Sequence, residues 1–297
     1  MRSDSSTSHF RIGVVHVSLT TPIRRLLEQY SRLYGHCQTE VPREPVVHVT
    51  VCHKPFSLRH RRRYEVWADG QLLFEPARFE ELVPYIEWAM NLQIPRILPD
   101  YLQFHSSAME VHGQGVIFPG QSGVGKSTLT AGLLACGWRY LCDEFALVHC
   151  DTLELAPYPR AICVKHASFD VVRSMGLRVC GGRRHIKPAK GRVGFVNPLS
   201  MRPGAIGGPC PVRYVIFPRY SQGAEPTLIP IRRAEAAFEL HHVCYNLLRC
   251  RATGLNVIAG MVRGASCYRL VSGRLDATCQ LLRQLVDKAD QTRLLSA

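Results

Sequence analysis

The sequence predicts a mixed α/β protein in two parts, a small α+β domain over residues 1–98 and an α/β domain over 99–297 built around a glycine-rich loop. Three observations carry this. Alternating apolar stretches and helically spaced apolar residues share the first part. In the second, a strand, the run Gly120–Ser127 and a helix follow one another without a gap. Between the two, the prolines of Ile94–Asp100 mark a change of pattern. The chain of 297 residues, 46% hydrophobic and 20% charged, has an ordinary globular composition and enough length for two domains.

Phe10–Leu19 alternates as a strand does, and Thr21–Gly35 places apolar residues at helical spacing with proline near its start and glycine at its end. Pro45–Val51 is a further strand, and Tyr64–Glu75 is a hairpin with Asp69-Gly70 at the turn. Arg78–Ile94 reads as a helix with a proline in its interior. From Tyr101 the order is strand, turn at His112–Gly115, and a second strand over Gly115–Pro119 that runs into the glycine loop. A helix over Lys126–Gly137 follows, ended by its glycine. Trp138–Cys142 is a short strand leading to Asp143 and Glu144. Val212–Tyr220 and Cys267–Gly273 are later strands, and Leu275–Ala289 is a closing amphipathic helix.

Composition excludes several classes. No apolar run is long enough to span a membrane, and the N-terminus MRSDSSTSHFRIG lacks the apolar core of a secretory signal, so the expected location is cytoplasmic. The 12 cysteines are scattered with no C-x-x-C pair, which suits small buried side chains better than zinc ligands or disulfides. The net charge of +14 is unevenly placed: Arg160–Arg219 holds twelve Lys/Arg against one acid, Asp170. Such a segment attracts anions. It contains Cys180–Phe195, whose Gly and Pro mark a loop, read either as a lid or substrate-facing surface or as a solvated basic loop. Its aromatics, Phe169, Phe195, Tyr214 and Phe217, are too few for a nucleic-acid stacking surface, so nucleic acid is not the expected partner.

The run Gly120, Gln121, Ser122, Gly123, Val124, Gly125, Lys126, Ser127 satisfies G-x-x-x-x-G-K-[ST], and Thr128 continues it into the helix. Its glycines let successive backbone N–H groups point at phosphate oxygens, and the helix start adds partial positive charge. In this motif Lys126 reaches the β- and γ-phosphates of ATP, and the Ser127 hydroxyl completes Mg²⁺ coordination. Asp143 and Glu144 stand at a strand end, where α/β sheets bind ligands. One carboxylate there can hold Mg²⁺ while the other accepts a proton from an attacking hydroxyl; the pair also fits a plain ATP-hydrolysing site. His105, fifteen residues before Gly120, is a third candidate that spacing alone does not separate from a structural histidine.

The segment FHSSAMEVHGQGVIFPGQSGVGKSTLTAGLLACGWRYLCDEFAL resembles the catalytic domain of the HPr kinase/phosphorylase family, which carries a histidine before a strand pair, G-x-S-G-x-G-K-S and then an acidic pair. The chain most resembles that family's HPr-kinase-related offshoots, which share the FPRY strand and an N-terminal unit of this kind. The resemblance is specific over Tyr101–Val148 and looser to Arg274. It implies a P-loop domain with a mixed sheet of the HPr kinase/phosphoenolpyruvate carboxykinase type. It also implies that Asp143 is the catalytic base, His105 the residue that orients and tunes it, and Gly120–Ser127 the phosphate loop. Glu144 falls on the second acid of the pair, where we assign Mg²⁺. The family's downstream glutamate–arginine–glycine signature is missing, since Pro159–Val171 offers Lys165 in place of an acid. That departure puts a reverse, phosphorolytic reaction in doubt, and with it recognition of the sugar-transport phosphocarrier. Lys165, Lys187, Lys190 and Arg219 are read equally as phosphate contacts or as solvated side chains.

Together these readings predict an ATP- and Mg²⁺-dependent kinase whose acceptor is a hydroxyl, that of a serine in a protein or peptide. A small-molecule kinase and an ATP-binding regulator or ATPase are the alternatives, and homo-oligomerisation is left open.

Overall fold

The computed structural model describes residues 5–54, 63–188 and 190–294. Residues 1–4 of the N-terminal stretch and Ala189 of the Cys180–Phe195 segment lie outside the described residues. The chain forms two compact units: one holds Met1–Pro99, Cys163–Phe169 and Val179–Asn197, the other Asp100–Ile162, Asp170–Arg178 and Pro198–Ala297.

In the first unit, β1 (Ser6–Ile12) and β2 (Val15–Thr21) are an antiparallel hairpin. One strand is predicted here; Gly13, at φ +63°, breaks it into two because glycine accepts the left-handed backbone of a tight turn. Helix α1 (Arg24–Tyr34) buries Leu26, Tyr30, Leu33 and Tyr34. β3 (Gln38–Thr39) edges β1, and β4 (Val46–His53) runs parallel to β2. β5 (Tyr64–Ala68) and β6 (Gln71–Phe74) turn at Asp69 and Gly70, both at positive φ as a two-residue hairpin turn of the primed type requires. The six-stranded order is β3-β1-β2-β4-β5-β6. Helix α2 (Leu82–Ile97) places Pro84 in its first turn, where the missing N–H has no helical partner to lose, so the predicted interior proline breaks nothing.

The second unit starts with β7 (Tyr101–Val111) and β8 (Gln114–Pro119), then helix α3 (Lys126–Ala135). β9 (Arg139–Cys142), β10 (Phe145–His149) and β11 (Glu154–Ala156) follow. The chain next forms β12 (Ile162–Lys165), helix α4 (Phe169–Ser174), β13 (Cys180–Lys187) and β14 (Gly191–Val196), with a three-stranded order β12-β14-β13 that belongs, apart from Ile162, to the first unit. The predicted basic loop is therefore a hairpin. Val193 and Phe195 alternate inward and are buried, and Gly191, at φ +70°, starts the returning strand.

β15 (Cys210–Tyr220), β16 (Thr227–Pro230), helices α5 (Arg233–His242) and α6 (Leu247–Gly264), β17 (Ser266–Ser272) and helix α7 (Leu275–Leu294) complete the chain. The large sheet has the order β11-β10-β7-β8-β15-β17-β16, with β9 also on β7. It is mixed: β8, β15 and β17 are parallel, and β7 is antiparallel to β8, β9 and β10. Phe104, Met109, Ile117, Phe118, Tyr140 and Ile216 are fully buried in it. Among the described residues no helix is long and apolar enough to cross a membrane.

The end of α3 is held by Arg202, which donates to the carbonyls of Leu134 (3.0 Å), Gly137 (2.8 Å) and Trp138 (2.9 Å). Leu134 lies in the last turn of α3 and Gly137 and Trp138 just beyond it, where a cation also meets the negative end of the helix dipole. Arg202→Ala is expected to lower unfolding stability by about 2 kcal/mol, on the scale of hydrogen bonds to charged groups. Denaturant unfolding checks this; a midpoint unchanged from wild type would rule out the cap.

Candidate active site

The phosphate-loop motif lies where β8 ends and α3 begins. Gly120, Gly123 and Gly125 have φ of +149°, +105° and +99°, backbone that L side chains rarely adopt. That explains glycine at these three positions. Gln121, Ser122 and Gly123 are exposed; Val124, Ser127 and Thr128 are half-buried. Lys126 is 6% exposed, and its ammonium group donates to the carbonyl oxygens of Gly120 and of Gln121 (2.8 Å). The cation is thus held at the entrance of the loop.

β7 ties the remaining candidates to this loop. On one side Ser106 pairs with Pro119, and the Gly120 N–H donates to the His105 carbonyl at 3.1 Å. On the other side Tyr101–His105 pairs with His149–Phe145, and Ala108 pairs with Cys142, either side of a bend at Asp143-Glu144. Ser107 therefore stands opposite Asp143, and Ser106 opposite Glu144, whose carbonyl accepts the Ser106 N–H at 3.3 Å. His105 thus stands opposite Phe145, the residue that directly follows the acid pair. The acids are level with the last residues of β8, two strand spacings or about 10 Å away, with β7 between.

The sequence predicts a strand end at the acids. In the structure the strand resumes as β10 beyond a bend at Asp143-Glu144, because Phe145–His149 keeps its ladder on β7. Beyond Gly120 the chain leaves β7, and Val243–Tyr245 takes over that edge. The His105 N–H donates to Val243 (2.7 Å), Cys244 bridges Phe104, and the Tyr245 N–H donates to Gln103 (2.8 Å). The backbone around His105 is thereby bonded on both sides.

Two residues of this cluster carry no site signal in the sequence. Arg160 appears there only as the first residue of the basic run. Its side chain is 6% exposed, and its guanidinium donates to Glu144 at 2.8 Å and lies 5.2 Å from the centre of the Tyr158 ring. The Tyr140 hydroxyl donates to the Arg160 carbonyl at 2.8 Å. Tyr245, 140 residues after His105 in the chain, has its ring 5.8 Å from His105 and 4.8 Å from Phe145. Desolvation, and secondly the charge of Glu144, hold the Tyr245 phenol above its usual range, so it is a neutral hydroxyl at physiological pH. Cys142 beside the acids is likewise driven upward, first by burial and then by Asp143, so it is a thiol and no nucleophile.

Among the described residues no three His, Cys, Asp or Glu gather as a metal cage. Mg²⁺ commonly takes one or two protein oxygens together with substrate phosphates and water. Ser127 and Glu144 offer such oxygens, although one carboxylate oxygen of Glu144 is engaged by Arg160. Lys165 ends β12, Lys187 ends β13, and Arg219 is exposed near the end of β15; the basic run is thus distributed over several elements.

No family model matches the chain, and no curated protein matches it. Among solved structures, the Hpr(Ser) kinase/phosphatase from Coxiella burnetii aligns over 64% of this chain and 97% of its own, at 11% identity and a TM-score of 0.33. A superposition this loose does not establish a common fold. What the residues themselves define is a mixed α/β unit in which a glycine loop with a buried lysine and an acid pair flank one strand.

Proposed function

We propose that the chain is an ATP- and Mg²⁺-dependent phosphotransferase that moves the γ-phosphoryl group to a hydroxyl. The proposed acceptor is a serine of a protein or peptide, the class that the motif resemblance implies. One observation carries the reading. β7 has the first glycine of the loop beside His105 on one edge and the Asp143-Glu144 bend on the other, about 10 Å away. Across one intervening strand, that separation is on the scale of a phosphate tail reaching from the loop towards an acceptor hydroxyl beside the acids.

Phosphoryl transfer asks the protein for positioning and charge neutralisation more than for covalent chemistry. The loop N–H groups and Lys126 hold the phosphate tail. Asp143 accepts the proton of the incoming hydroxyl, and His105, whose strand pairs on either side of the acid bend, orients that carboxylate. Ser127 and Glu144 would hold Mg²⁺, which neutralises phosphate charge when bound. Arg160 keeps Glu144 in place.

The test is transfer from γ-labelled ATP with Mg²⁺ to lysate proteins, comparing wild type with Asp143→Asn. The expected result is a labelled protein with wild type and a rate roughly 10²–10⁴-fold lower in the variant, the range for removal of a general base. Equal release of free phosphate by both proteins would leave a plain ATPase. Label on a small molecule would assign the acceptor to that class.

A further inference from the structure

On the reading proposed above, the terminal phosphate lies across β7 towards Asp143, which leaves the base to the other side of the loop, over β15 and β17. β15 runs parallel to β8, with Val215 beside Ile117. Continuing that register puts Pro218 level with Gly120, and Tyr220 two residues, or about 7 Å, beyond it. β15 therefore outruns β8 at the carboxyl ends of the parallel strands, where open α/β sheets bind ligands.

Tyr220 closes against the returning loop: a Cβ built on Gly125 would sit 3.3 Å from the Cβ of Tyr220. The residue is nevertheless 56% exposed. Its backbone is fixed from behind. Tyr220 pairs with Ser272, the Ser221 N–H donates to the Ser272 carbonyl at 2.9 Å, and Gly273 lies so close to the carbonyl of Ala224 that a side chain there would collide. An exposed aromatic residue on a rigid strand end, touching the phosphate loop on the side away from the acids, has the position and the chemistry of a base platform.

We propose that Tyr220 is the residue on which the base of the bound nucleotide stacks, a specificity-determining contact that rests on the nucleotide reading above. Stacking on a tyrosine ring recognises a flat heteroaromatic ring and is indifferent to the phosphates. ATP and inorganic tripolyphosphate therefore separate the two halves of the site.

Calorimetric titration of the full chain with each ligand in Mg²⁺, for wild type, Tyr220→Ala and Tyr220→Phe, is the test. The expected result is tighter binding of ATP than of tripolyphosphate by wild type. In Tyr220→Ala, ATP should bind roughly tenfold more weakly with tripolyphosphate unchanged, and Tyr220→Phe should bind ATP as wild type does. Unchanged ATP affinity in Tyr220→Ala would overturn the proposal, as would loss of both ligands together, which would mark Tyr220 as mere support for Gly125. Equal affinity of wild type for the two ligands would overturn it while leaving the phosphate loop intact. Failure of wild type to bind either would remove the nucleotide reading itself and this inference with it.

Discussion

Lys126→Ala is expected to lower phosphoryl transfer by about 10³-fold or more and to weaken ATP binding. The ammonium group is almost wholly buried and is held at the loop entrance by the carbonyls of Gly120 and Gln121. A cation removed from water acts on phosphate through a lower dielectric than a surface lysine does, so its contribution is large. A 10³-fold loss corresponds to about 4 kcal/mol of barrier. The substitution removes two hydrogen bonds to loop carbonyls, so thermal unfolding is measured beside the kinetics. A variant that transfers phosphate at the wild-type rate would take Lys126 out of the mechanism. One that unfolds early would be re-examined as Lys126→Met, which keeps the buried methylenes.

Arg160→Met is expected to destabilise the protein by about 2–3 kcal/mol. Removing one partner of a buried ion pair strands the other charge, which costs about 3–5 kcal/mol when both are buried. Here Arg160 is buried but the Glu144 side chain is 28% exposed, so water recovers part of the loss. Glu144→Gln should also cost stability, because it strands the more deeply buried Arg160 charge, and the double variant should recover stability relative to Arg160→Met, because no unpaired charge then remains. Denaturant midpoints of the four proteins give the coupling. Additive effects would show that the 2.8 Å contact contributes no net energy.

The loop, helix α3, the turn at Asp69-Gly70 and the acid pair are legible from short contiguous stretches. Each depends on local chemistry: glycine where φ is positive, helical spacing, a two-residue turn. The hairpin at Gly13 and the β13–β14 hairpin were misread for a related reason. A single glycine inside an alternating run does not declare whether it turns the chain, and a Gly- and Lys-rich stretch hides two buried positions, Val193 and Phe195. Helices α5 and α6 left no clear mark. Exposed apolar residues such as Phe238 and Leu248 blur the periodicity that would reveal them.

The glycine-loop motif is complete in eight consecutive residues and the helix they start, so the proposal of a phosphate cradle needs nothing but local sequence. The long-range pairings are what bring His105 beside the loop and the acid bend across β7 from it, let Arg160 grip Glu144, and set Tyr245 against His105 and Tyr220 against Gly125. These meetings depend on strand register between segments up to 140 residues apart. Shifting a strand by one residue would turn every one of those side chains to the other face, and no local pattern records that choice.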